Sequence, residues 1–143
     1  MILKSETGRP NAEISNLMKN ERGKPEPPKK YDLEERTAKL GEAVIEFCLG
    51  LPEAPVTRPL ISQIVRSATS IGANYCEADD AESHRDFRHK ICLCRKEAHE
   101  TKYWCRMLAK ALPDEKDAIR LLWLEARELN LIFSAIYRKT KAD

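Results

Sequence analysis

The chain has 143 residues and a formal net charge of +2, which limits it to one domain and leaves no room for separate cofactor and substrate domains. Apolar residues make up 42% of the sequence and aromatic residues only 6%, which is enough for one modest helical core. No apolar run approaches the roughly 18 residues of a membrane span, and the N-terminus lacks a secretory signal, so we expect a cytoplasmic protein with no membrane partner.

Residues 1–30 are predicted to form a disordered or partly helical, mobile arm. Their two glycines and four prolines lie among seven basic and four acidic residues, a composition that cannot bury enough apolar surface to offset the cost of ordering. A short helix over residues 12–19 would be marginal alone, although it would place Ile14, Leu17 and Met18 on one side. The folded domain is therefore expected to cover residues 31–143.

From Tyr31 onward, apolar residues recur every three or four positions, and this spacing predicts four helices. Asp32 is placed to cap the start of the first helix. The first helix is marked by Leu33, Thr37, Leu40, Val44, Phe47 and Leu51. The second is marked by Ile61, Ile64, Ala68, Ile71, Tyr75 and Ala78. The first is predicted to end near Gly50 and Pro52, and the second is predicted to end between Asp79 and Glu82.

The third and fourth helices are separated by Pro113. The hydroxyl of Ser83 is predicted to cap the third helix, with Asp86 three residues on. Its stripe, meaning the row of residues expected to face the core, is Phe87, Ile91, Cys94, Ala98, Thr101, Cys105, Leu108 and Leu112. The fourth helix is predicted to begin at Asp114 and to end near Lys139. Its stripe is Ile119, Leu122, Ala126, Leu129, Phe133 and Ile136.

Four such helices with short loops predict an all-α fold, an antiparallel up-and-down four-helix bundle. Gly72, in the middle of the second helix, costs roughly 1 kcal/mol relative to alanine. We therefore expect another backbone or a bulky ring, such as that of Trp104, to lie against it.

Helices three and four carry more apolar side chains than one core-facing stripe can hold. Helices that are apolar nearly all round are either central or covered by a partner, and a four-helix bundle has no central helix. We therefore predict a homo-oligomer with an interface that includes Leu121, Trp123, Leu124 and Leu131. The alternative is that these are scattered surface residues.

Positive charge is concentrated in residues 82–110, which hold eight Lys or Arg against four acidic residues, whereas residues 31–143 sum to −1. This pattern is typical of a polyanion-binding surface or of a solvated helix face. If nucleic acid binds, the candidate residues are Arg85, Arg88, Lys96, Lys102 and Arg106.

Polar residues also recur beside the apolar stripes of helices two and three. We predict a structural polar layer made of Arg66, Asn74, Glu77, Glu97 and Thr101. Arg66 suits a pairing with Glu97 or Glu77, because its planar guanidinium can meet a carboxylate with two hydrogen bonds. Such a layer would fix the helix register, and the alternative is a catalytic pocket.

No catalytic or metal-binding pattern has the spacing that its chemistry requires. The five cysteines are an odd number without a CxxC pair and are expected to be reduced. The Glu-x-x-His pattern of di-iron bundles is absent. The Arg–His pairs at residues 85–89 and 95–99 are spaced too closely for a helical ribonuclease of the HEPN type. We therefore predict no enzymatic activity, no cofactor and no metal.

Several segments are similar to one known family. These are residues 31–33, the stretch RSATSIGANYCEA at residues 66–78, residues 87–90 and the stretch KEAHETKYW at residues 96–104. From residue 31 to about residue 139 the chain resembles the four-helix-bundle proteins encoded within intervening sequences of large-subunit ribosomal RNA genes. That family includes the accessory protein of diversity-generating retroelements.

The resemblance implies an antiparallel four-helix bundle that assembles as a ring-shaped homopentamer. It also implies a nucleic-acid partner or a nucleic-acid enzyme as partner, because the retroelement member binds nucleic acid and a reverse transcriptase. Our leading hypothesis is a non-enzymatic ring protein that engages RNA or a nucleic-acid enzyme through helix three. A protein-interaction scaffold that binds no nucleic acid is the alternative. A third hypothesis is a helical ribonuclease that uses His84, His89 or His99.

Overall fold

The computed structural model describes residues 32–141, and they form an antiparallel up-and-down four-helix bundle without strands. Its helices are α1 (Leu33–Leu49), α2 (Thr57–Asp79), α3 (His84–Ala111) and α4 (Lys116–Thr140). None of these helices combines the length and apolar character needed to cross a bilayer. The arm predicted for residues 1–30, with its short helix at residues 12–19, lies outside the described part.

The core is built from the apolar stripes that the sequence spacing predicts. Every stripe residue is buried or half-buried, and the largest side chains with almost no exposure come from all four helices. These are Phe47, Phe133, Leu40, Ile64, Ile71, Ile91, Leu108, Leu122 and Leu129. Because each helix contributes one stripe to a shared centre, the hydrophobic effect holds the four together.

Helix ends follow the predicted boundaries with two differences. Ser83 is extended (φ −146°, ψ 161°) and its hydroxyl accepts a hydrogen bond from the Asp86 N–H at 3.0 Å, which confirms the predicted cap. The predicted Asp32 cap is wrong, because its backbone is near-helical (φ −90°, ψ −1°) and its side chain makes no capping hydrogen bond. The fourth helix begins at Lys116 instead of Asp114, since a 3-10 turn, Pro113–Glu115, precedes it.

Gly72 lies where α2 packs closely against Thr37 of α1. A β-carbon built on Gly72 would lie 3.1 Å from Thr37 Oγ1 and 3.4 Å from Thr37 Cβ. Thr37 is buried, and its hydroxyl donates to the Leu33 carbonyl at 2.7 Å, which holds the side chain in place. The expected close neighbour therefore exists, but it is Thr37 of α1 and not Trp104.

A buried ion pair joins the first helix to the last. Arg36 Nε and Nη2 donate to the two carboxylate oxygens of Glu125 at 2.7 and 2.8 Å, and the Glu125 side chain is only 3% exposed. Hydrogen bonding to Glu125 raises the pKa of Arg36 above its ordinary value. Because both carboxylate oxygens are satisfied by one guanidinium, a full negative charge is tolerated inside the bundle.

Gly72→Ala is expected to destabilise the protein by roughly 1 kcal/mol, because overpacking against Thr37 exceeds the gain in helix propensity. Gly41→Ala is the matched control, since a β-carbon there meets its nearest atoms at an ordinary 3.5 Å, and we expect it to stabilise. Urea unfolding of both variants measures the difference. In a Thr37→Ala background the cost of Gly72→Ala should shrink, and an unchanged cost would contradict the steric explanation.

Arg36→Ala is expected to destabilise by about 2 to 3 kcal/mol, below the roughly 3–5 kcal/mol for fully buried pairs because Arg36 is partly exposed. Replacing both partners, as Arg36→Met with Glu125→Leu, should restore most of that loss, since no charge then stays buried alone. The free energies of unfolding of the single and double variants test this coupling. Purely additive losses would show that the pair does not act as a unit.

Candidate nucleic-acid interface

The charges of α3 are separated by face. Its acidic residues Glu97 and Glu100 lie toward α2, where Arg66 binds them. Except for Lys90, which binds Glu77 of α2, its basic residues lie on the side that faces outward and toward α4. These are Arg85, Arg88, Arg95, Lys96, Lys102, Arg106 and Lys110. Together with the exposed Arg120 of α4 they form what we call the cationic strip.

Two arginines of the strip share one aromatic ring of α4. The guanidinium carbon of Arg88 lies 4.0 Å from the centre of the Tyr137 ring, and that of Arg95 lies 5.2 Å from it. Stacking on a ring fixes the plane of a guanidinium and leaves its edge free to donate. Asn130 of α4 fixes the backbone at this point by donating to the Arg95 carbonyl at 2.9 Å.

Neither Arg88 nor Arg95 is neutralised by a carboxylate among residues 32–141. The Nε atoms of both are buried and have no hydrogen-bond partner within that part of the chain. The only side-chain acceptor near them there is the Cys92 sulfur, 3.5 Å from Arg95 Nη2. Two adjacent positive charges without a carboxylate partner in this part of the chain attract anions, and phosphate matches the geometry of a guanidinium.

The five residues predicted for nucleic-acid binding all lie on the cationic strip. Arg85, Lys96 and Arg106 are exposed, and Arg88 stacks on Tyr137. Lys102 is half-buried, with its Nζ 5.9 Å from the centre of the Trp123 ring. Arg95, Arg120 and Tyr137 also belong to this surface but are not among the residues predicted from the sequence. Arg95 lies seven residues after Arg88, so heptad spacing was a signal that could have found it.

Arg66 connects α2 to α3 at the other side of α3. Its Nη1 donates to Glu97 at 3.2 Å, and its Nη2 contacts Glu100, which also accepts a hydrogen bond from Trp104 Nε1 at 2.9 Å. The Arg66 side chain is 45% exposed, so these ion pairs contribute at most about 1 kcal/mol. The arrangement fixes the register of two helices and leaves no basic group free for a ligand.

The remaining residues of the predicted polar layer are dispersed along α2 and α3. Thr101 and Ser67 share a buried hydroxyl–hydroxyl hydrogen bond of 3.0 Å. Lys90 donates to Glu77 at 2.6 Å near the opposite end of the contact between α2 and α3, which we call the α2–α3 seam. Asn74 donates to the Ser70 carbonyl of its own helix and does not bridge the two helices. The structure therefore brings Arg66 to Glu97 but not to Glu77.

The predicted interface residues of α4 divide between two sides. Leu121 and Leu124 are half-buried, and Leu131 is 50% exposed on the outer surface away from α3. Trp123 lies on the α3 side, where Lys102 approaches its ring. Helical spacing thus groups Leu121, Leu124 and Leu131 in one apolar strip that excludes Trp123.

Thiol and metal chemistry have little support in the described residues. Burial raises the pKa of Cys48, Cys94 and Cys105 to about 12 each, so these thiols stay protonated and weakly nucleophilic at neutral pH. Within residues 32–141, no group of three or more His, Cys, Asp or Glu side chains is placed to hold a metal ion.

The sequence matches the family model of the 23S rRNA-intervening sequence protein over residues 29–135, about three quarters of the chain. The fold is similar to a crystal structure of a protein of unknown function from the S23 ribosomal protein family of Bacteroides thetaiotaomicron. That similarity has a TM-score of 0.64 and 28% sequence identity, and it covers 73% of this chain and 97% of the other. No curated protein gives a significant match.

Proposed function

The chain belongs to the 23S rRNA-intervening sequence protein family, and we propose that it is a non-catalytic protein that binds RNA through the cationic strip. The observation that carries the proposal is the pair Arg88 and Arg95, stacked on Tyr137 without a carboxylate among the described residues. RNA phosphates match the charge and planar geometry of these guanidinium groups, although their buried Nε atoms are out of reach of a ligand.

The net charge of the folded part is close to zero. This is compatible with RNA binding because acidic and basic residues lie on different sides of the bundle. The exposed acidic residues of α1 are Glu34, Glu35, Glu42 and Glu46. Because α1 and α3 lie diagonally across the bundle, the acidic and basic surfaces face opposite ways. A polyanion is attracted to the α3 side and repelled from the α1 side, which orients the protein on its ligand.

We also propose that the protein self-associates through the apolar strip Leu121, Leu124 and Leu131, with the ring of five subunits that the resemblance implies. Half of the Leu131 side chain is exposed, although it is a large apolar residue in the middle of a helix. On α4 this apolar strip borders Arg120, which lies four residues before Leu124, whereas the cationic residues of α3 lie outside it, so assembly would leave the α3 part of the cationic strip open. Five copies would present their cationic strips to one RNA.

Replacing both arginines, as Arg88→Gln with Arg95→Gln, is expected to weaken RNA binding by at least about tenfold and to lower the salt slope by about one to two. Fluorescence anisotropy with a structured ribosomal RNA fragment between about 50 and 200 mM salt measures both. Arg58→Gln is the matched control, because Arg58 is exposed on α2 outside the strip. An absence of RNA binding by the wild type at the lowest salt would contradict the proposal and favour the protein scaffold.

Leu131→Glu is expected to shift the protein to smaller oligomers or monomers, because a charge would be buried in the proposed interface. Light scattering coupled to gel filtration at micromolar concentration measures the mass. Ala38→Glu, at an exposed position of α1, is the control and should leave the mass unchanged. A wild type that is strictly monomeric would rule out self-association.

A further inference from the structure

A cavity lies at one end of the cationic strip. Its lining includes apolar side chains, which binding of phosphate alone would not require. It has a volume of about 410 Å³ and lies between the last turns of α3 and the first turns of α4. Its size falls in the range of roughly 300 to 1,000 Å³ that is usual for small-molecule sites. It is distinct from the Arg88–Tyr137–Arg95 cluster, which lies toward the other ends of the two helices.

The cavity combines an apolar wall with cationic groups. Trp123 forms the wall, and the buried core residues Cys105 and Ile119 contribute to the floor. Arg106, Lys116 and Arg120 also line it, which places three positive charges around one opening. Burial keeps the Cys105 thiol protonated, so the floor adds no negative charge at neutral pH.

This combination fits one nucleotide better than a bare anion or an apolar group. A base can stack on an indole, and phosphate pairs with arginine and lysine side chains. Asp117 also lines the cavity. Its carboxylate can accept a hydrogen bond from a ribose hydroxyl or from a base amine. An apolar helix from another protein would leave three cations without partners.

We propose that this cavity binds a single nucleoside monophosphate unit, with the base on Trp123 and the phosphate held by Arg106, Lys116 and Arg120. The unit comes either from an unpaired nucleotide of an RNA chain or from a free nucleotide. The first source rests on the proposed function, and the ligand chemistry is the same in both. A base held in this way would give the strip a preference for single-stranded over duplex RNA.

Tryptophan fluorescence tests the cavity directly, because the chain has only two tryptophans. Trp104→Phe leaves Trp123 as the sole emitter and changes a residue of the α2–α3 seam, away from the cavity. Adenosine monophosphate is expected to quench this emission saturably. Adenosine and ribose 5-phosphate should each bind roughly tenfold more weakly, because each lacks one of the two recognised parts.

Charge variants show whether the quenching reports this cavity. Arg120→Gln, at an exposed position, should raise the apparent Kd for adenosine monophosphate about five- to tenfold. Arg58→Gln is the matched control and should leave it unchanged. Trp123→Leu should abolish the spectroscopic signal, and thermal melting shows whether that variant is folded.

Two further titrations identify the source of the nucleotide. A single-stranded tetranucleotide that quenches at lower concentration than adenosine monophosphate, while its duplex does not, identifies RNA as the source. Tighter binding of the mononucleotide identifies a free nucleotide. Both outcomes support the cavity.

The proposal is overturned if no nucleotide quenches Trp123, or if ribose 5-phosphate binds as well as adenosine monophosphate. It is also overturned if adenosine monophosphate loses its effect at protein concentrations at which the chain self-associates, because a second copy then fills the cavity. Failure of the RNA proposal is separable. A wild type that binds no RNA at about 50 mM salt would contradict the RNA proposal, whereas saturable quenching by adenosine monophosphate would still support the cavity.

Discussion

The ion pair between Arg36 and Glu125 is the constraint that closes the bundle. Contacts between α1 and α2, α2 and α3, and α3 and α4 join neighbours in sequence, but α1 and α4 meet across 89 residues of chain. Glu125 is 2% exposed, so it is tolerated only where a guanidinium reaches both its oxygens. That requirement fixes the rotation of α4 about its axis. The same rotation turns Trp123 and Tyr137 toward α3 and Leu131 toward the outside.

With α4 fixed in this orientation, α3 packs between α2 and α4, which present different side chains to it. Its acidic side meets Arg66 of α2, which neutralises Glu97 and Glu100. Its basic side meets the aromatic rings of α4, which position cations without neutralising them. Local ion pairing on one side and cation–π contacts on the other thus leave excess positive charge on a single face.

The sequence predicted the fold well because helical periodicity depends on local spacing. The stripes of all four helices and the Ser83 cap follow from residue order alone. The residues that a side chain contacts on another helix do not follow from residue order. Asp32 and Ser83 are both good capping residues, but only Ser83 has the extended backbone that aims its oxygen at the helix. Gly72 indicated a close neighbour, and only the register of α1 against α2 makes that neighbour Thr37.

The candidate site was predictable in charge but not in arrangement, for the same reason. Arg88 and Arg95 are visible in the sequence as basic residues, whereas their convergence on Tyr137 depends on the packing of α3 against α4. The outcome is a helix, α4, with separate apolar and aromatic–cationic sides. Because Arg88, Arg95 and Tyr137 lie outside the apolar strip, assembly through Leu131 would leave these three residues open to RNA. Weak phosphate contacts on each subunit would then add along one RNA chain, so that multivalency supplies the affinity that a nearly neutral monomer lacks.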